Sequence, residues 1–414
     1  MTKPLRKPIR LLVVSQYFYP EQFRINDMCK EWVKRGYDVT VVTGIPNYPQ
    51  GRFYTGYGWN KKRKDTYHGA RIIRLPIVSR GNSKIRLGLN YLSFVVSGFF
   101  WQLFTKHKAD IVFSFEVSPM SQVLPAIWFA NHRHIPCMVY IQDLWPESFQ
   151  EMTGVNRGPL IPMIMRMTNY IYRKCQLILV ASNSFKKAIE DRGVPSNKVV
   201  FWPQYAEDFY RPTQMVSPLV PADERFTIAF TGNIGTAQGL EILPRTASLL
   251  KAKDIRVRFI LVGDGRGMTA LKKSIADEKV EEYFTFISQQ PPLEIPAILA
   301  GADAAFLSFA DNPLFSMTIP AKLQSYMACG MPILATACGE TEKIIKESGC
   351  GLVSPTGDSV SLAQSVLELI GLSSTHKNVL KTNGLNFASE HFNKNMLMNR
   401  MDSLLVHCLA QNAD

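Results

Sequence analysis

The sequence lacks the signatures of several common protein classes. Its seven cysteines are odd in number and include no Cys-x-x-Cys pair, which argues against a disulfide framework or a zinc site. The motifs His-Glu-x-x-His, Gly-x-Ser-x-Gly and Asp-x-Asp are absent, and the missing Asp-x-Asp disfavours a metal-held nucleotide sugar. No recognised nucleic-acid-binding motif is present. No long apolar stretch follows the N-terminus, so we expect a cytoplasmic protein.

Positive charge, in contrast, is in excess. Lys and Arg number 47 against 34 Asp and Glu, which gives a formal net charge of +13 at pH 7. A basic excess indicates an anionic partner, such as nucleic acid, acidic lipid head groups or a phosphorylated small molecule. Nucleic acid is disfavoured because its binding motifs are missing, and the charge by itself indicates only an anionic partner, with a phosphorylated ligand and an anionic membrane surface both left open.

Alternating strand and helix patterns divide the chain into two halves. Residues 10–14, an apolar helical stripe over residues 25–33 and residues 38–43 read as a strand–helix–strand unit, which predicts a parallel sheet. The pattern stops near residue 203, where prolines predict a linker as far as residue 221. A second alternating run follows, and a helical tail is predicted over about 386–407. The predicted fold is α/β, with two doubly wound domains and a cleft between them.

One predicted helix, residues 87–104, is unusually apolar and aromatic. It is shorter than a comfortable membrane span of about 20 residues, and polar residues interrupt it. One interpretation is a helix buried against the sheet. The other is an interfacial helix whose apolar side lies in lipid, with Lys84, Arg86, Lys106 and Lys108 near the head groups.

Ligands of open parallel sheets bind beyond the carboxyl ends of the strands, so the segments that follow the predicted strands are candidate sites. Asp143 follows one strand directly and is the best acid/base candidate, with Glu147 as the alternative. Glycines at 232–235 and 263–267 follow two strands of the second half. They allow either close approach to a ligand or simply a tight turn.

An anion site is predicted at the helix that begins near Pro320. Proline suits the first residue of a helix, and Thr318 or Ser316 could provide its cap. Free backbone N–H groups at a helix N-terminus bind anions, and Lys322 adds a full positive charge. Such a site would hold a diphosphate without a metal; the alternative is an ordinary capped helix with a surface lysine.

Several segments together resemble the family 4 retaining glycosyltransferases, and the resemblance covers essentially the whole chain. They are Tyr19-Pro20-Glu21, residues 31–43, Trp202-Pro203-Gln204, residues 231–239 and residues 319–332. Within the family, residues 143–148 and 232–239 look like the WbuB-type branch of O-antigen and capsule enzymes, which is associated with N-acetylfucosamine transfer.

The resemblance implies a GT-B fold of two facing Rossmann-like domains with a C-terminal helix packing back on the first. It implies an acceptor-binding domain over residues 1–205 together with the helix 390–414, and a donor-binding domain over residues 206–389. Five family positions differ here, and one of them is Gln142, which precedes the acidic residue where many members carry His. Asn233 and Gln238 stand where the family commonly has an Arg and a Lys, and Met317 and Ser325 stand where it has paired glutamates.

The resemblance also implies a function. It is transfer of a sugar, such as N-acetylfucosamine or another N-acetylated sugar, from a UDP-sugar to a lipid-linked saccharide in bacterial surface polysaccharide synthesis. We expect no cofactor and no metal, and a peripheral location on the inner face of the cytoplasmic membrane. A nucleotide-sugar epimerase and a non-catalytic scaffold of a polysaccharide-assembly complex are the alternatives.

The expected site residues fall into three groups. The catalytic group is Asp143, Glu147 and Lys322. The donor-binding group is Gly232, Asn233, Gln238, Gly263, Gly265, Arg266, Ser316, Met317, Thr318, Lys322 and Ser325. The acceptor-side group is Glu21, Gln22, Arg24 and Gln142.

Overall fold

The computed structural model describes residues 7–412, which form two compact units. Unit 1 contains the residues up to Ala181, Phe185–Trp202 and those from Met398 onward. Unit 2 contains Pro203–Leu397 and the short segment Ser182–Ser184. The chain thus passes from one unit to the other between Trp202 and Pro203, within the proline-rich stretch.

Unit 1 is built on an eight-stranded sheet. Its strands, in chain order, are β1 Arg10–Val14, β2 Asp38–Gly44, β3 Lys64–Tyr67, β4 Ala70–Leu75, β5 Ile111–Glu116, β6 Cys137–Ile141, β7 Leu177–Val180 and β8 Val199–Phe201. The spatial order is β3-β4-β2-β1-β5-β6-β7-β8, and every pair is parallel except β3 with β4. From β1 the sheet extends on one side through β2 and on the other through β5, so the strand order reverses there. The crevice beyond the ends of β1 and β5 is a topological switch point.

Helices connect these strands. They are α1 Arg24–Lys34, α2 Lys84–Phe104, α3 Leu124–Arg133, α4 Glu147–Thr153, α5 Leu160–Lys174 and α6 Asn183–Glu190. In α1 the apolar stripe of the sequence is buried, with Trp32 edge-on to Phe113 of β5 at 5.0 Å between ring centroids. Burial of such stripes supplies most of the stability of surface helices.

Unit 2 is built on a six-stranded, wholly parallel sheet. Its strands are β9 Phe226–Thr231, β10 Val257–Val262, β11 Phe284–Ile287, β12 Ala304–Ser308, β13 Ile333–Thr336 and β14 Gly351–Ser354. The order β11-β10-β9-β12-β13-β14 is that of a Rossmann sheet, and its switch point lies between β9 and β12. Its helices are α7 Ile242–Lys251, α8 Met268–Asp277, α9 Ile295–Ala300, α10 Pro313–Ser316, α11 Ala321–Ala328, α12 Glu340–Ser348, α13 Ser359–Gly371 and α14 Ser374–His391.

The helical tail differs from its prediction as one helix over 386–407. The structure has α14 ending at His391 and a second helix, α15, at Lys394–Gln411. The break has a local cause, because the side chain of Asn393 accepts the Met396 N–H at 3.0 Å and so caps the second helix. In unit 1, Asp402 of α15 receives hydrogen bonds from Arg35 at 2.7 Å and Tyr37 at 3.0 Å. The part of α15 from Met398 onward therefore packs on the first Rossmann-like unit.

Helix α2 is attached to unit 1 by a narrow face. Asn90, Phe94, Gly98 and Gln102 are buried, and a Cβ on Gly98 would lie 2.3 Å from Cγ of Pro125 in α3. The opposite face is apolar and exposed. We call it the α2 apolar stripe, and it consists of Ile85, Leu89, Leu92, Val96, Phe99, Phe100, Leu103 and Phe104. By length and composition α2 also qualifies as a membrane span, with 22% of its apolar window buried. The interpretation of a helix buried against the sheet therefore holds for one face of α2 only.

Candidate functional site

Two glycine loops meet at the carboxyl ends of the neighbouring strands β9 and β10 in unit 2. Gly232 follows β9 with φ of 131°, and Gly263 follows β10 with φ of 140°. A Cβ on Gly263 would lie 1.9 Å from the carbonyl oxygen of Gly232, and one on Gly265 would lie 2.3 Å from that of Ile234. Both positions require glycine, because any side chain would strike the neighbouring loop. The loops also share backbone hydrogen bonds, including Ile234 N–H to Asp264 O at 2.9 Å.

Lys322 of α11 lies against the first of these loops. A Cβ on Gly232 would lie 2.6 Å from its Cε, and its ammonium lies 4.0 Å from the centroid of the Phe230 ring. Within residues 7–412, no carboxylate lies within 4.0 Å of this ammonium. Burial lowers the pKa of Lys322 to about 7. A cation so poorly compensated is suited to binding an anionic ligand.

The segment before α11 departs from the predicted cap. Pro320 is the N-cap residue rather than the first helical residue, and neither Ser316 nor Thr318 caps the helix. Ser316 Oγ donates to the Pro313 carbonyl at 2.7 Å, and Thr318 Oγ1 donates to the Leu314 carbonyl at 3.0 Å. The physical reason is that α10 is a single short turn ending at Ser316, and its carbonyl groups are available to the hydroxyls of Ser316 and Thr318. The backbone N–H groups at the start of α11 are thereby left without a side-chain cap.

The remaining donor-binding candidates have local roles. Gln238 Oε1 accepts the Gly235 N–H at 3.2 Å and the Asn233 amide at 3.4 Å, so these two amides fold one turn onto itself. Ser325 Oγ donates to the Ala321 carbonyl within α11. Met317 lies at the end of α10, and Arg266 is exposed on the second glycine loop. None of these side chains is a carboxylate that could neutralise the charge of Lys322.

Asp143 lies at the carboxyl end of β6 in unit 1. Its Oδ2 accepts both the backbone N–H and the hydroxyl of Ser118, each at 2.7 Å. No group in the described part of the chain donates to its other oxygen, Oδ1. Asp143 is partly exposed, so a fixed carboxylate presents one oxygen that is able to accept a proton.

A second carboxyl group lies beneath Asp143. Glu116, at the end of β5, is fully buried, and its Oε2 accepts the N–H groups of Gln142 and Asp143 at 3.3 Å each. Burial raises the pKa of Glu116 well above its usual range, and the charge of Asp143 raises it further. Glu116 therefore positions the loop that carries Asp143 and does not itself reach solvent.

Glu147 is engaged elsewhere. Its Oε1 lies 2.5 Å from Nη2 of Arg192, whose Nη1 donates to the Trp145 carbonyl at 2.6 Å. The ion pair holds the start of α4 and leaves Asp143 as the carboxylate better placed for acid/base chemistry.

The acceptor-side candidates differ in how far they are buried and in the contacts that they make. Glu21 is buried, accepts the N–H groups of Asn47 and Tyr48 at 2.7 and 2.6 Å, and has its pKa raised to about 7 by that burial. Gln22 is exposed, whereas Arg24 and Gln142 are partly buried. Glu21 is thus a loop anchor rather than an open binding group.

Sequence reasoning missed three residues of this region. They hold or border the loops at the carboxyl end of the unit 1 sheet, and they are Glu116, Ser118 and Arg80. Glu116 is the last residue of a mainly apolar strand, and a carboxylate at the carboxyl end of a strand is a sequence signal that could have identified it.

The chain matches two glycosyltransferase family models, one in each Rossmann-like unit. A family model described as Glycosyltransferase Family 4 matches residues 23–204, and one described as Glycosyl transferases group 1 matches residues 225–371. Each unit of the chain therefore contains a region that matches a glycosyltransferase domain. The predicted family 4 character and GT-B fold are confirmed.

Curated relatives agree with this assignment. The chain is 26% identical over 354 residues to WcaI of Escherichia coli K12, named as a colanic acid biosynthesis glycosyl transferase, covering 81% of this chain and 84% of WcaI. It is 25% identical over 261 residues to the glycosyltransferase WbjE of Pseudomonas aeruginosa, covering 59% and 64% of the two chains.

Solved structures support the fold. Sucrose-phosphate synthase of Thermosynechococcus elongatus superposes with a TM-score of 0.76 at 16% identity, covering 98% of this chain and all of that one. HepE of Anabaena, solved with UDP and glucose, gives 0.71 at 15% identity, covering 96% and 99%.

Proposed function

We propose that this glycosyltransferase moves a sugar from a UDP-sugar onto a lipid-linked saccharide during bacterial surface polysaccharide synthesis, with retention of configuration. The observation that carries the proposal is Lys322, an uncompensated cation against the Gly232 loop of a Rossmann-like unit. The names of WcaI, in colanic acid synthesis, and of HepE, solved with UDP, support the polysaccharide role and the donor class. The donor sugar is N-acetylfucosamine or another N-acetylated sugar.

In this proposal unit 2 holds the donor. As the bond from the sugar to the diphosphate breaks, negative charge grows on the diphosphate. Lys322 and the uncapped N–H groups of α11 are the groups available to stabilise it, and a fixed positive environment of this kind lowers the barrier. No metal is needed for that role.

Unit 1 holds the acceptor. Asp143 Oδ1 accepts the proton of the attacking hydroxyl, while Ser118 keeps the carboxylate in place through Oδ2. The sugar carbon gains the acceptor oxygen and loses the diphosphate, so UDP is released with each transfer.

The membrane is the proposed location of the acceptor. The α2 apolar stripe is exposed over the whole length of the helix, with Ile85 78% and Phe104 79% exposed. Lys84, Arg86, Lys106 and Lys108 are exposed at its two ends. Since Asn90 and Gln102 are buried against unit 1, α2 lies along the domain surface, and its outer face is suited to the interfacial region of an anionic bilayer. The protein is thus a peripheral protein of the cytoplasmic face.

A thermal-shift screen of nucleotide sugars tests the donor class. We expect UDP and UDP-sugars to raise the melting temperature and nucleotides without a diphosphate to have little effect. An absence of any shift with uridine nucleotides would remove the UDP-sugar assignment.

Lys322→Ala is expected to weaken UDP binding by about 10- to 150-fold. The reason is the loss of one charge-assisted contact, which contributes about 1.5–3 kcal/mol. Titration calorimetry with UDP provides the measurement. In the wild type, UDP should also bind less tightly as pH rises above 7, because Lys322 must be protonated in the complex and has a pKa of about 7 when free.

Lys322→Arg is the matched control, because its guanidinium stays charged throughout this range and should remove the pH dependence. Equal affinity for UDP in the wild type and in Lys322→Ala would place the diphosphate elsewhere.

Transfer is expected to proceed without added metal. The diphosphate charge is met by Lys322 and by backbone N–H groups, which chelators do not remove. Initial rates are compared with and without EDTA. Loss of activity in EDTA with recovery on addition of Mg²⁺ or Mn²⁺ would refute this reading of the donor site.

A further inference from the structure

A network of buried amides lies at the carboxyl end of the unit 1 sheet. Its four members are at most 1% exposed, and they are Gln16, Asn47, Asn90 and Gln122. Gln16 donates to Asn90 at 2.8 Å, and Gln122 accepts the Gln16 N–H at 2.7 Å. Burying so many polar groups costs free energy unless they are paired, and a paired network fixes one conformation.

The network fixes Arg80. Asn47 Oδ1 accepts the Arg80 N–H at 2.8 Å, and the Asn90 amide donates to the Val78 carbonyl at 2.6 Å. Asn47 and Asn90 therefore both hold the segment between β4 and α2. Their hydrogen bonds fix the backbone from which the Arg80 side chain extends.

The guanidinium of Arg80 has aromatic partners instead of a counter-charge. Nη1 donates to the Tyr17 hydroxyl at 3.3 Å, and the guanidinium carbon lies 5.1 Å from the Tyr48 ring centroid. Across residues 7–412 no carboxylate lies within 4.0 Å of it. In contrast, the buried Arg74 and Arg258 each pair with an aspartate. A partly buried cation without a partner leaves room for an anion from the ligand.

The surroundings of Arg80 suit a phosphorylated sugar. Tyr17 and Phe23 stack at 5.2 Å, and Tyr48 packs on both rings while remaining 37% exposed. Tyr91, on α2, has its pKa raised by burial, and the charges of Arg80 and Asp143 act on it in opposite directions. Tyr91 therefore lies within electrostatic range of both the cation and the proposed base.

We propose that Arg80 binds the phosphate or diphosphate group of the acceptor, with the Tyr48 ring beside the attached sugar. This inference rests on the proposed function and specifies its acceptor as a phosphate-linked saccharide lipid. The α2 apolar stripe begins at Ile85, five residues after Arg80, so a lipid chain attached to this phosphate has an apolar surface next to it. Arg80 thus connects the reacting end of the acceptor to its lipid end.

The test uses inorganic diphosphate as the probe and the full-length protein saturated with UDP. Titration calorimetry compares the wild type with Arg80→Gln and with Arg52→Gln, which removes an equal charge from an exposed arginine of the same unit. We expect Arg80→Gln to weaken diphosphate binding at least tenfold, and Arg52→Gln to change it less than twofold. The affinity for UDP, measured first, should be the same in all three proteins.

The alternative outcomes separate the possible sources of the phosphate. Unchanged diphosphate binding in Arg80→Gln would overturn the proposal. An equal loss of UDP affinity in that variant would do the same, because it would assign Arg80 to the donor. Arg80→Lys keeps the charge and should retain binding within about fivefold, which distinguishes ligand recognition from a folding defect. Failure of the wild type to bind UDP would instead refute the proposed donor. The diphosphate titration, carried out without UDP, would still test Arg80.

Discussion

Asp143→Asn is expected to lower the transfer rate by about 10²- to 10⁴-fold, the range typical for loss of a positioned general base. Asparagine has the same shape and can still accept the two hydrogen bonds from Ser118, so the loop should keep its conformation. What it loses is the ability of Oδ1 to take the proton of the acceptor hydroxyl. Donor binding should be unchanged, since UDP is assigned to unit 2. Steady-state kinetics measures the loss of transfer rate, and titration with UDP checks that donor binding is unchanged.

Asp191→Asn is the matched control, because it neutralises an exposed carboxylate of the same unit and should leave the rate unchanged. Glu147→Gln tests the rival base. Its pairing with Arg192 predicts a change in stability and a smaller effect on rate than that of Asp143→Asn. Retention of more than about a tenth of the rate in Asp143→Asn would exclude Asp143 as the base.

Replacing Leu92, Phe100 and Phe104 together with serine is expected to abolish binding to anionic vesicles. Each of these side chains is more than half exposed, so the variant should stay folded. Burial of one such side chain in an apolar environment contributes about 1.5–3 kcal/mol, and loss of all three corresponds to a decrease in partitioning of more than about 1,000-fold. Vesicle co-sedimentation measures the partitioning, and circular dichroism confirms the fold.

Phe94→Ser is the control for this variant, because Phe94 lies on the buried face of α2 and its truncation should cost about 3–5 kcal/mol of stability. Wild-type binding should also fall with salt, since the Debye length decreases from about 10 Å at 0.1 M to about 3 Å at 1 M. A wild type that ignores anionic vesicles at every salt concentration would favour a soluble acceptor. Trp101 is unsuitable for such a test, because it stacks on Phe129 at 5.3 Å.

Much of the fold could be predicted from periodicity. The stripe of α1 and the β-branched strands β1 and β2 have local patterns that tertiary contacts reinforce. The hairpin of β3 and β4 was missed, because its strands carry lysine and arginine at the sheet edge and do not show an apolar run. The break between α14 and α15 was missed since a single asparagine cap determines it.

The candidate site was less accessible to sequence reasoning. Lys322 and Asp143 could be proposed because each adjoins a recognisable strand end or helix start. Which face of α2 is buried could not be decided from the sequence, since Asn90, Gly98 and Gln102 on the buried face are not large apolar residues. Likewise Arg80 has no motif around it. Its environment is created by Tyr17, Tyr48 and Asn47, which lie far from it in sequence.

The most direct test of the account follows a labelled sugar from donor to acceptor. The wild-type protein is incubated with UDP-sugars labelled in the sugar, with and without a membrane extract containing lipid-linked saccharides. We predict that label enters the lipid fraction only when acceptor is present, with one UDP released per sugar transferred and with the rate lost in Asp143→Asn. Conversion of the nucleotide sugar in the absence of any acceptor, as an epimerase would produce, or tight nucleotide binding without transfer to any acceptor, as a scaffold would show, would contradict it.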